Sequence, residues 1–251
     1  EQLHPYLEGK FMGDIINHHG PLLKMYYSYG DGNPPKGELE DIYSSMDQAK
    51  NNMWGSFGQY DFISEGDSPA FLHLVNVGLN NLENPNFGGW GGRLIQSKTT
   101  PSRWEDGDPA AAFNPFTQKM DNAYAQTRWI PAIQNDFAAR ADWCVKDFKS
   151  ANHAPKIMVK SNLVLAKPGQ KLNIQVTTSD PDGNSVTMKY WQYQEVGNTA
   201  KKLEVLPQSK GVNIGIPTDA KSGDVFHLIA EGTDNGKPAL TRYQRIVVTV
   251  K

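Results

Sequence analysis

Three short stretches carry residue types that could do chemistry together. Glu65-Gly66-Asp67-Ser68-Pro69-Ala70-Phe71 sets two carboxylates just before a helix start. Phe87-Gly88-Gly89-Trp90-Gly91-Gly92-Arg93 holds one indole and one guanidinium in a glycine-rich turn. Gln134-Asn135-Asp136-Phe137-Ala138-Ala139-Arg140 places an amide and a carboxylate at the start of a second helix. Carboxylates accept hydrogen bonds from hydroxyls, while amide and guanidinium groups donate them. Together these groups suit a polar, sugar-like ligand. Glu65, Asp67, Trp90, Arg93 and Asn135 are the candidate binding residues, expected to converge with Asp136 on one cleft.

Each has a plainer reading. Asp67 can cap a helix or favour its N-terminal dipole; Glu65 has no comparable local role. Asp136 lies four residues before Arg140, a favourable helical pair. Trp90 reads equally as a core anchor or as a stacking platform, since the flanking glycines permit close backbone approach. Arg93 can pair with a local carboxylate or with a ligand. His18-His19 resembles a metal motif, but neighbouring side chains in an extended chain point apart. His73 reads as a satisfied core histidine and Trp191 as the core tryptophan of a sheet. Cys144, the single cysteine, reads as a buried inert thiol within a helical stripe; it excludes an internal disulfide and a cysteine zinc cluster.

Two kinds of element must position these residues. Before Ser150, helical spacing dominates. Ser68, Pro69 and Gly78 suit the cap, first position and stop of a buried helix carrying Phe71, Leu72, Leu74, Val75 and Val77. A second helix opens at Pro131, with Ile133, Phe137, Ala141, Cys144 and Phe148 as its core stripe. Residues 80–118 are irregular and rich in Gly, Asn and Pro, the composition of a functional loop. This part shows almost no strands and is expected to pack on a sheet supplied from upstream. After Pro155, seven short strands are expected: Lys156–Val159, Lys171–Thr178, Met188–Gln194, Lys202–Leu206, Val212–Ile216, Val225–Glu231 and Tyr243–Val250. Asp180-Pro181-Asp182-Gly183-Asn184 and Asp234-Asn235-Gly236-Lys237-Pro238 mark turns. Seven strands in about 100 residues read as an immunoglobulin-like sandwich, large enough to fold by itself.

Charge supports the same division. Residues 1–151 carry a net of −7 and residues 152–251 a net of +5. Neither part has the dense Lys/Arg clusters that phosphate backbones require, so nucleic acid is not an expected partner. No stretch approaches the ~18 apolar residues of a membrane span, so no membrane partner is expected either.

The three N-terminal motifs quoted above, with Tyr190-Trp191-Gln192-Tyr193 and Thr233-Asp234-Asn235-Gly236, resemble bacterial nucleoside-hydrolase-like proteins, some described as cellulose-binding. The resemblance implies the C-terminal part of a Rossmann-like α/β domain over 1–151 and an immunoglobulin-like sandwich over 152–251. It implies a secreted or periplasmic protein taking a carbohydrate or nucleoside-like ligand. The leading function it implies is hydrolysis of N-glycosyl bonds or an inherited sugar pocket; the alternative is non-catalytic binding of a cellulose-like polysaccharide, and a third reading gives the sandwich only a supporting role. In the hydrolases an aspartate cluster holds calcium; no such cluster occurs before Glu65. Asp136 matches the last metal ligand, with Asn135 standing where a His is usual. The resemblance therefore implies calcium in a longer protein, none for this chain alone, and a missing N-terminal part of the same domain as partner.

Overall fold

The computed structural model describes residues 71–106 and 110–251. Glu65, Asp67, Ser68 and His18-His19 lie outside the described residues. The described chain is mostly β-sheet with few helices. It divides into two compact units. Of the described residues, one includes 137–151; the other joins those from 71 to 136 with 152–251.

The larger unit is built on two four-stranded sheets. Strands β5 (Lys156–Val159), β7 (Lys171–Ser179), β10 (Gly211–Gly215) and β9 (Glu204–Gln208) form one, in the order β5-β7-β10-β9. Strands β6 (Leu163–Ala166), β12 (Thr241–Val250), β11 (Val225–Asp234) and β8 (Val186–Gln192) form the other, in the order β6-β12-β11-β8. All pairs are antiparallel except β6 with β12. One core fills the space between the sheets, from Ile174, Val212 and Ile214 on one side and Phe226, Leu228, Ala230, Ile246 and Val248 on the other. The two expected turns are present, and Asn152 ties them together. Its Nδ2 donates to Asp234 Oδ2 at 3.0 Å and to the Pro238 carbonyl at 2.8 Å, and its Oδ1 accepts from Asn184 Nδ2 at 2.8 Å.

The two central strands of the second sheet, β11 and β12, bury residues on both faces. Phe226, Leu228 and Ala230 of β11 and Ile246, Val248 and Val250 of β12 enter the inter-sheet core. Odd-numbered Ile229 and Tyr243 face a second cluster with Val77, Leu79, Trp90, Trp129 and Tyr193. A strand covered on both faces loses the alternation of a half-exposed strand and reads as a continuous apolar run. Phe226 to Ala230 is buried at every position, His227 included. The covering layer carries two small hairpins, β1 (Ile95–Gln96) with β2 (Trp104–Glu105) and β3 (Ala112–Asn114) with β4 (Lys119–Asp121). Helix α1 (Tyr124–Thr127) and the start of α2 (Ile130–Val145) follow. Val77, Leu79, Trp90 and Trp129 thus pack on the outer face of a sheet supplied from downstream.

Three expectations need correction. The helix expected to run to Gly78 has left helical geometry after Leu72. Asn76 Oδ1 accepts from Gly78 N, a local bond that competes with helix. The Val77 and Gly78 carbonyls instead accept from Tyr243 N and Arg245 N at 2.9 and 3.0 Å, so this segment extends β12's edge. Gly78 has φ +92°, and a Cβ there would collide with the Tyr243 carbonyl. Phe71 and Leu74 are exposed rather than buried. In the smaller unit, Ala138, Ala139, Ala141 and Asp142 are buried, whereas Cys144 and Phe148 are exposed. The helical stripe turns off the buried face before its end. Trp191 faces the outer cluster, while its neighbour Tyr190 packs on the inter-sheet core. Strand β6 was not expected.

Candidate functional site

The outer face of the second sheet gathers aromatic rings and guanidinium groups. Trp129 stands edge-on to Tyr243 at 5.3 Å and to Tyr193 at 6.1 Å, and is tilted against Trp191 at 6.0 Å. The Arg128 guanidinium lies 4.6 Å from the Tyr193 ring centre and 4.7 Å from that of Trp191. The Trp191 indole donates to Glu231 Oε2 at 2.8 Å. Such cation–aromatic contacts are strongest where water is excluded.

Arg245 sits deepest, 1% exposed. It donates through Nε to the Leu79 carbonyl at 2.6 Å and through Nη2 to those of Phe87 and Gly88 at 2.8 and 3.0 Å. Its Nη1 lies 3.2 Å from His227 Nδ1, which must be the acceptor and hence unprotonated. Burial brings the Arg245 pKa down to about 9, so the group stays charged at neutral pH. Burial first, and the Arg245 charge second, push His227 down to about 3. Burial raises Tyr193 and Tyr243 above the usual phenol range.

The glycine turn is anchored here. Gly89 and Gly92 exchange both backbone bonds at 2.9 Å, closing a tight loop around Trp90. Gly88, at φ +76°, lets the backbone lie directly against the Tyr193 hydroxyl; a Cβ would stand 2.8 Å from that oxygen. Trp90 is 1% exposed, so its ring belongs to the core and offers no face to solvent. Its indole nitrogen interacts with the Tyr243 hydroxyl, with geometry short of a regular hydrogen bond.

Arg242 links two of the candidates. Its Nη2 donates to Asp136 Oδ1 at 2.7 Å, and its guanidinium lies 5.6 Å from the Trp90 ring centre. Asn135 Nδ2 donates to the Ala239 carbonyl at 3.0 Å. Arg93 is held separately. Its Nε, Nη1 and Nη2 donate to the carbonyls of Ala110, Glu195 and Ala111 at 3.3, 2.6 and 3.1 Å. The structure therefore brings Trp90 and Asp136 to one cation, seats Asn135 on the turn before β12, and uses Arg93 to fasten the strand-β3 segment. The convergence expected of Glu65 with Asp136 involves a residue outside the described ones. Arg128, Arg242, Arg245 and His227 were not singled out from sequence. The only signal was Arg245, the one charged residue within the strand Tyr243–Val250.

Calcium takes six to eight oxygen ligands. Among the described residues, no three His, Cys, Asp or Glu side chains gather in a metal-binding group. Asp136 already has a guanidinium at the place a cation would take. The described residues alone do not fit a calcium ion.

Two family models match the chain. Residues 1–94 match the nucleoside hydrolase-like domain of cellulose-binding Sde182. Residues 171–250 match the C-terminal domain of cellulose-binding protein Sde0182. A solved nucleoside hydrolase-related protein from Saccharophagus degradans, described as associated with carbohydrate metabolism, is 31% identical with a TM-score of 0.62. The similarity covers 77% of this chain and 49% of that one. Two separate segments of the chain thus match models of one family, the Sde182 cellulose-binding proteins. The chain spans about half the length of that solved relative. The match to the Sde182 N-terminal model runs to Leu94, just past the glycine turn and Arg93, and the match to the C-terminal model covers β7 through β12. Arg245 and its carbonyl acceptors therefore join the segments matched by the two Sde182 models. Murine CRIg aligns at 11% identity over 39% of this chain and 99% of its own, with a TM-score of 0.28. Protocadherin gamma B2 aligns at 18% identity over 42% and 27%, also with a TM-score of 0.28. No curated protein matches.

Proposed function

We propose that this chain is the polysaccharide-binding part of a secreted or periplasmic bacterial protein that takes cellulose-like chains without cleaving them. The observation that supports it is the pair of matches, near both ends of the chain, to models of cellulose-binding proteins. In this reading residues 152–251 form an immunoglobulin-like sandwich, consistent with two four-stranded sheets around one core. Residues 1–151 form the C-terminal part of a Rossmann-like domain whose remainder belongs to a longer protein.

A second reading keeps N-glycosyl hydrolysis for that longer protein. The nucleoside hydrolase-like match over residues 1–94 favours it. There calcium would hold the attacking water, with Asp136 as its last ligand and Glu65, Asp67 and Asn135 toward the sugar. Asp136 would have to exchange Arg242 for the metal.

One paired assay separates the readings. Depletion of the chain onto insoluble cellulose is measured beside ribose release from purine and pyrimidine nucleosides with calcium present. The binding reading expects saturable depletion and no ribose. Ribose release without cellulose retention would reverse the order of the two.

A further inference from the structure

The β3–β4 hairpin turns three large apolar side chains to solvent on a closely fastened frame. Phe113 and Met120 are cross-strand partners, so their side chains leave the same face. Phe116 lies in the connecting turn. The three are 43%, 60% and 44% exposed, respectively. Polar bonds fix the frame. Asn114 Oδ1 accepts from Phe116 N at 2.9 Å, and Asn114 Nδ2 donates to Asp121 Oδ2 at 2.9 Å. Phe113 N donates to Glu195 Oε1 at 2.7 Å. The Phe116 ring stands edge-on to Tyr124 at 6.2 Å. Rings held this way lose little conformational freedom on binding.

The size of the patch limits what can sit on it. Large side chains of this kind present about 150–250 Å² each, so three half-exposed ones offer roughly 300 Å². That is far below the ~800 Å² each partner gives to a stable protein interface, yet patches of about 300 Å² are often functional. A glycan chain meets a protein one ring at a time. The C–H face of a pyranose lies on an aromatic ring, and its hydroxyls reach polar groups at the rim. Thr117 and Lys119, both exposed, flank the patch.

We propose that Phe113, Phe116 and Met120 form the contact face for a neutral β-linked glucan chain, with Thr117 and Lys119 at its rim. The proposal rests on the polysaccharide-binding reading above.

The test runs the full chain by affinity electrophoresis in gels holding a soluble β-glucan. A Phe113→Ala/Phe116→Ala double variant and a Leu163→Ser variant run beside it. Leu163 is an exposed apolar residue on β6 and controls for loss of apolar surface. The parent should be retarded, the double variant bound at least tenfold more weakly, and Leu163→Ser retarded like the parent, all with one Tm. Hydroxyl-radical footprinting of the unsubstituted chain needs no variant to fold. With the glucan present, oxidation of Met120 should slow severalfold while Met158, 51% exposed on β5, keeps its rate. If the parent is retarded but the double variant binds within twofold of it, or Met120 oxidises equally with and without glucan, the hairpin assignment is overturned and polysaccharide binding stands. If the parent is not retarded in the glucan gel, the binding reading falls and the hairpin assignment with it.

Discussion

Arg245 carries more of this fold than any ligand candidate does. One buried guanidinium serves three backbone carbonyls and one imidazole. Removing it leaves buried acceptors unpaired, at about 1–3 kcal/mol each. Arg245→Leu should therefore destabilise the chain by at least about 3 kcal/mol, measured by urea unfolding. His227 gives the same cluster a pH dependence. Its folded pKa, about 3, lies below the unfolded value of 6.5, so the neutral ring is favoured by folding. The stability this contributes is complete above 6.5 and is lost as pH falls toward 3, at up to about 1.4 kcal/mol per pH unit. His227→Gln should lower stability at pH 7 but flatten the slope between pH 6.5 and 3 by one proton. An unchanged acid slope would mean that another group sets it. Asp136→Asn is expected to weaken the bond to Arg242 and lower Tm by a few degrees; metal-dependent stabilisation of the parent, absent in the variant, would instead favour ligation.

At the scale of elements, the covering layer completes the second sheet. Val77 and Gly78 pair with the first half of β12's edge, and β6 pairs with its second half. A chain of residues 152–251 keeps the inter-sheet core but exposes Ile229, Tyr193, Tyr243 and the orphaned Arg245. It should unfold at a markedly lower temperature than residues 71–251 and bind a hydrophobic dye; equal Tm values would show that the layer adds nothing to the sheet. Gly78→Ala should have an effect of similar sign, since its Cβ meets backbone and not a movable side chain. Much of this was legible in the sequence. Strand β5 has the expected bounds, and most other strands differ only by a few residues at their ends, because turn residues punctuate them. Strand β6 escaped because Leu163–Ala166 is four residues long and follows β5 almost directly. The outer layer escaped for a different reason. Trp191 reads as a core residue whichever face it points to, and parity alone does not say which face of a sheet is covered. The run Phe226–Ala230, apolar but for His227 and without strict alternation, was the available sign that both faces of β11 are buried. Of the site, the need for glycines around Trp90 was legible, whereas Glu195, which accepts from Arg93, and Arg242, which donates to Asp136, lie 102 and 106 residues away and leave no local signal.

For the whole molecule, the described residues use their best polar groups on one another. Arg93 donates through all three of its nitrogens to carbonyls, Asp136 takes Arg242, and Trp90 is enclosed. Among the described residues, ligand contact is better sought on exposed rings than in this interior. No helix among the described residues is long and apolar enough to cross a membrane. A neutral glycan bound through ring faces should be held almost independently of salt, unlike a charged ligand, whose attraction is screened over about 10 Å at 0.1 M. Calorimetric titration of the 251-residue chain with a soluble β-1,4-linked glucose oligomer, at low and at high ionic strength, decides whether the chain holds a neutral glycan. Saturable binding is expected, with a Kd that changes less than twofold between the two. No heat at tens of micromolar chain, or binding seen only with a nucleoside, would contradict it.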